Sequence, residues 1–123
     1  YELRNQPRVI HLSPDVPAGE PSKTGHSIGH FEGDELVVET TDFIADRWGS
    51  HTGVDSSAQK HLIERFSLIE DGMVLRIEMT LTDPVFFTEP IEIDYYLRKL
   101  ADRELVDAVC TSDSARLFLE GGR

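Results

Sequence analysis

Gly25-His26-Ser27-Ile28-Gly29-His30-Phe31-Glu32-Gly33-Asp34-Glu35-Leu36-Val37-Val38-Glu39-Thr40 carries the clearest statement of architecture in this chain. It contains Gly-x-Ser-x-Gly, the string of a hydrolase nucleophile elbow. An elbow needs a buried strand before its serine and a helix after it. Here residues 19–24 are Gly, Glu, Pro, Ser, Lys and Thr, which read as a loop. Gly29 leads into a short apolar segment, a Glu-Gly-Asp turn and Leu-Val-Val, the pattern of a two-strand hairpin. The stretch therefore predicts β architecture, with strands near 26–31 and 35–41, and not acyl-transfer chemistry at Ser27.

Upstream of it, residues 8–12 form a short strand candidate, and Pro7, Pro14, Pro17 and Pro21 punctuate the irregular segment that runs to residue 24. Such a segment suits a sheet edge, where proline is tolerated. After Phe43 a polar stretch, 46–57, carries the only tryptophan, Trp48, and reads as a flap or mobile loop. Residues 60–68 are a strand, and Glu70-Asp71-Gly72 is a hairpin signal. Met73, Leu75, Ile77, Met79 and Leu81 then alternate with mostly polar partners, a period of two that marks a half-buried antiparallel strand ending at Asp83-Pro84. Ile91, Ile93, Tyr95 and Leu97 repeat the alternation. A further strand is expected at 104–110, with a tail from 111 to 123 that includes a short helical turn near 115–119. Six or seven strands in sequence order, joined mostly by short turns, predict a single all-β domain over 1–123: a mainly antiparallel meander that forms a small barrel or a strongly curled sheet.

With 123 residues the chain is long enough for a core of its own. No apolar run is long enough to span a membrane, so membrane insertion is not expected. Twelve basic against 23 acidic side chains leave a net charge of −11. That surface repels phosphate backbones and anionic lipid, so nucleic-acid binding is not expected. The single cysteine, Cys110, has no internal partner for a disulfide and reads as a small buried hydrophobe. The chain opens on Tyr1 and shows no signal-peptide pattern, which reads as a processed or truncated product.

Candidate chemistry is sparse. On a strand His26 and His30 share a face but lie about 13 Å apart at 3.3 Å per residue. One ion with metal–nitrogen bonds of about 2.0–2.1 Å cannot bridge them. No metal and no cofactor are expected. Arg76, Glu78, Glu92, Asp94 and Arg98 lie opposite the apolar stripes, where cross-strand charge pairs belong. The strand His61-Leu62-Ile63-Glu64-Arg65-Phe66 is different, because both of its faces mix apolar and charged residues. Either Glu64 or the His61/Arg65 pair must point inward and find a partner. Pro84-Val85-Phe86-Phe87-Thr88-Glu89-Pro90 places two aromatics in a connector, as core caps or at a ligand mouth.

Residues 25–40 resemble the signature of a family of uncharacterised bacterial proteins, many of them exported. Residues 61–66, Asp83-Pro84 with Thr88 and Pro90, Cys110, and the upstream segment 8–12 are similar to that family's other recurring features. The resemblance covers most of residues 1–111. Phe31 and Ile91 stand where tryptophan is usual, Phe87 where tyrosine is usual, and Thr111-Ser112-Asp113 replaces a more acidic, amide-rich end. The resemblance implies a lipocalin-like small barrel, a location outside the cytoplasm or in the periplasm, and a longer N-terminal part. It implies no activity.

Three functions stand as expectations. The first is a binding module that holds a small apolar or amphipathic molecule, with His61, Glu64, Arg65, Tyr95, Phe86 and Phe87 as candidate ligand-binding residues and no catalytic residue. The second is a structural or self-associating domain without a ligand, with a second copy of the chain as partner. The third is a hydrolase or isomerase that uses His61 and Glu64 as acid and base, the least favoured of the three.

Overall fold

The computed structural model describes residues 7–47 and 53–101. The expected strand at 104–110, Cys110 and the tail lie outside the described residues, as do Trp48 and the tip of its loop. Residues Arg8–Lys99 cluster as one compact unit.

Six strands succeed one another along the chain: β1 (Ile10–His11), β2 (His26–Glu32), β3 (Glu35–Thr41), β4 (His61–Ile69), β5 (Val74–Thr82) and β6 (Ile91–Arg98). They form one sheet in the order β1-β2-β3-β4-β5-β6. Pairings from β2 to β6 are antiparallel, the meander read from the alternation and the turns. β1 alone is parallel to its neighbour, with Ile10 opposite Ser27 and His11 opposite Ile28. A parallel pair needs a crossover of about a dozen residues or more, and the proline-punctuated stretch 12–25 supplies it.

β2 and β3 are joined by Gly33-Asp34 alone, since Glu32 pairs with Glu35. Gly33 has φ +64°, as a two-residue loop with glycine at its first position requires. At the β4–β5 turn Glu70, Asp71 and Gly72 all take positive φ, and Ile69 pairs with Val74 across it. The strand read from Met73 thus begins one residue later, at Val74. Met73 belongs to the turn, where its N–H donates to the Glu70 carbonyl.

The alternation separates two faces. Ile10, Ser27, Gly29, Leu36, Val38, Thr40, Leu62, Glu64, Phe66, Leu75, Ile77, Met79, Leu81, Ile91, Ile93 and Tyr95 share one by register. The opposite face carries the charges, with Arg65 between Glu32 and Glu35, and Arg76 between Glu78 and Asp94. Among the described apolar residues only Val37, Val38, Phe43 and Val74 are buried. The sheet covers itself poorly.

Among the described residues the sheet is open. β1 bonds only to β2 and β6 only to β5, and no pairing joins the two edges. The edge strand β1 is only two residues long. The all-β meander is therefore present, as one open mixed sheet.

Candidate functional site

Gly25 and Gly29, the two glycines that flank Ser27, are there for packing. Gly25 has φ +67°, and a Cβ built on it would lie 2.5 Å from the Thr41 carbonyl oxygen and 2.8 Å from Thr40 Cγ2. At Gly29 a Cβ would meet Ile10 Cγ2 at 2.8 Å, so its absence makes room for the Ile10 side chain of the neighbouring strand. Ser27 between them is 1% exposed, and its hydroxyl shares a 2.8 Å hydrogen bond with that of Thr40. His26 and His30 sit on the other face of the strand. His26 Nε2 lies 3.1 Å from the Val16 carbonyl, and its ring stacks at 5.1 Å on His11. This is strand packing, and among the described residues the Ser27 hydroxyl meets Thr40 and no base.

β4 places its mixed residues unambiguously. Leu62, Glu64 and Phe66 face the apolar side, while His61, Ile63 and Arg65 face the charged side. Glu64 is buried, and its Oε2 is 2.8 Å from Arg8 Nη1. The guanidinium lies off the hydrogen-bonding direction, so Oε2 gains charge attraction without accepting a hydrogen bond among the described residues. His61 Nε2 meets Glu39 Oε1 at 2.7 Å on the far side of the sheet. Arg65 contacts Glu32 at 3.0 Å and Glu35 at 3.6 Å. Hydrogen bonding to Arg65 holds the Glu32 carboxyl below its usual value, and hydrogen bonding to Glu32 raises the Arg65 guanidinium. His61 and Glu64 therefore stand on opposite faces and do not converge on one atom.

The apolar face opens into a cleft of about 310 Å³. Leu62, Met79, Leu81, Ile93 and Tyr95 form its apolar part by the sheet register, Phe43 adds an aromatic wall, and Arg8, Lys23 and Lys60 bring cations. The volume lies at the low end of the range for small-molecule sites, about 300–1,000 Å³. Of the six expected ligand-binding residues, Tyr95 lines this cleft and Glu64 shares its face and holds Arg8. His61 and Arg65 are on the charged face. Phe86 and Phe87 belong to the turn after β5, where their N–H groups donate to the Asp83 carbonyl, and neither lines the cleft.

Three cleft residues lacked any signal in the sequence: Phe43, Lys23 and Lys60. Each comes from a connector that tertiary bonds fold back over the sheet. Ser22 bridges to Phe43: its N–H donates to the Asp42 carbonyl, and its own carbonyl accepts from the Ile44 N–H. Asp46 and Ser56 exchange backbone hydrogen bonds of 3.0 and 2.8 Å, which pinch the neck of the 46–57 loop. The fully buried Asp83 anchors that neck to the end of β5. Its carboxylate accepts from the Ser57 N–H and hydroxyl, both at 2.7 Å, and from the Val85 N–H at 3.1 Å. Burial pushes the Asp83 carboxyl up, but these hydrogen bonds outweigh it and leave the group below its ordinary value.

Lys60 is thereby locked inward. It is only 9% exposed, its Nζ donates to the Ser56 hydroxyl at 3.3 Å, and it lies 4.3 Å from the centroid of the Phe43 ring. Lys23 reaches Asp46 at 3.4 Å. Burial lowers the Lys60 pKa, while the charges of Asp46 and Asp83 oppose the shift. Among the described residues no group of three or more His, Cys, Asp or Glu is placed to hold a metal ion. No helix among them is long and apolar enough to cross a membrane. No family model, no curated protein and no solved structure matches this chain.

Proposed function

We propose that the cleft binds a small amphipathic molecule with an anionic head. One observation carries this reading: three cations meet five apolar sheet residues in a single cleft of about 310 Å³, on a chain whose net charge is −11. Arg8 and Lys23 already face carboxylates. Lys60 touches a neutral hydroxyl and an aromatic ring, so it is the cation that an incoming carboxylate would reach at least electrostatic cost. At about 30 Å³ for a water-sized group, the cleft suits a ligand of about ten non-hydrogen atoms. The lipocalin-like barrel belongs with this reading, because a barrel would wrap the same face around the ligand. So does the family resemblance, which adds an exported location and no activity.

Calorimetric titration with octanoate tests the proposal. Saturable binding is expected, weakened at least tenfold by Met79→Glu and by Lys60→Met, with octanol binding more weakly than octanoate. Absence of saturable binding, or affinity indifferent to both substitutions, would overturn it.

Self-association without a ligand is the second reading. Its support is the other end of the same apolar face, where Phe31, Leu68 and Leu97 are 63%, 67% and 55% exposed. Sedimentation across a concentration series separates the two: a dimer that dissociates on Leu68→Glu, together with no octanoate binding, would favour this reading.

A further inference from the structure

The geometry points to Lys60 as a nucleophilic amine that captures an apolar aldehyde as an imine. This inference rests on the cleft being a ligand site, and it names a substrate class that non-covalent binding does not require. An imine-forming lysine needs an amine that is neutral part of the time, a bound carbonyl compound beside it, and walls that keep water from hydrolysing the product. Lys60 meets the first need structurally. Its Nζ is buried, no carboxylate touches it among the described residues, and its nearest groups are the Ser56 hydroxyl at 3.3 Å and the Phe43 ring at 4.3 Å. Burial moves its pKa toward neutrality, with Asp46 and Asp83 pulling the other way. The cleft serves the second need, because Leu62, Met79, Leu81, Ile93 and Tyr95 offer an apolar bed for an alkyl chain. The third is served at the amine itself, since Lys60 is only 9% exposed and lies against the Phe43 ring. Lys23 also borders the cleft, but its side chain is 71% exposed and paired with Asp46.

The step is balanced without any further reactant. The Nζ lone pair attacks the carbonyl carbon and forms the C–N bond, and the carbonyl π pair moves to oxygen. A proton passes from nitrogen to that oxygen, for which the Ser56 hydroxyl is within reach as a relay. The carbinolamine then expels its hydroxyl with a second nitrogen proton as water, leaving C=N. Hydrolysis reverses the sequence, so capture is reversible.

The test uses octanal and sodium cyanoborohydride on the full chain, with peptide mass mapping of the three lysines, Lys23, Lys60 and Lys99. Reductive trapping at Lys60 is expected at least tenfold faster than at exposed Lys99, and octanoate is expected to slow it. Lys60→Arg keeps the positive charge and is expected to remove the fast adduct. Trapping at Lys60 no faster than at Lys99, while octanoate still binds, would overturn the covalent inference and leave the binding reading intact. Fast trapping at Lys60 without octanoate binding would support the covalent inference and sink the anionic head. Slow trapping without octanoate binding would sink both.

Discussion

Arg8 Nη1 lies 2.8 Å from Glu64 Oε2, and this ion pair sits on the apolar face between Val38 and Met79 in the sheet register. A carboxylate taken out of water there needs its partner, whereas two apolar side chains of similar size would not. Arg8→Ala is therefore expected to cost about 3 kcal/mol. The double variant Arg8→Met/Glu64→Leu is expected to stay within about 1 kcal/mol of the parent. Urea denaturation of the three proteins decides the matter, and a double variant less stable than Arg8→Ala would contradict the assignment.

Asp83 ties the end of β5 to the neck of the 46–57 loop through two hydrogen bonds from Ser57, and its carboxylate accepts a third from the Val85 N–H in the turn that follows. Its folded pKa lies below its unfolded value, so the unfolded chain binds the proton more readily. The stability it contributes is complete above the unfolded value of about 3.8 and is lost as pH falls through the lower folded value. Asp83→Asn replaces an acceptor oxygen with a donor facing Ser57 and is expected to cost about 1–3 kcal/mol at neutral pH. It is also expected to flatten the acid limb of the stability curve below about pH 4. Thermal melts from pH 2.5 to 7 would show an unchanged acid limb if Asp83 were not the group responsible.

Gly25 and Gly33 both have positive φ, +67° and +64°, but only Gly25 is crowded. A Cβ at Gly33 meets nothing within 4 Å, while at Gly25 it runs into the Thr41 carbonyl. Gly33→Ala is expected to cost about 1–2 kcal/mol, the penalty of the left-handed conformation alone. Gly25→Ala adds overlap with backbone, for about 1–3 kcal/mol more. Equal losses in chemical denaturation would show that the contact at Gly25 relaxes freely.

Much of the sheet could be read directly from the chain, because a period of two survives wherever one face is apolar and the other charged. Leu75 to Leu81 and Ile91 to Leu97 declare their strands in this way, and Gly33-Asp34 and Glu70-Asp71-Gly72 declare the turns between neighbours. β4 could be recognised as a strand but not oriented. With apolar and charged residues on both sides, only its register against Val38 and Met79 decides that Glu64 points inward and His61 outward. The candidate site was correspondingly half visible. Tyr95 and Glu64 carried a signal, as an aromatic and an acid on apolar stripes, while Lys60 and Lys23 looked like any solvated lysine.

The β class, the strand order through short turns, the charged outer face and the exclusion of an elbow at Ser27 were all written in the linear chain. These features obey local rules of alternation, turn chemistry and steric freedom at glycine. The open state of the described sheet and the face that β4 turns inward emerged only from the folded chain. So did the folding of the connectors over the sheet, which buries Lys60 beside Phe43. Those features depend on hydrogen bonds between distant residues, Asp46 with Ser56 and Ser57 with Asp83, and no local pattern encodes such pairings.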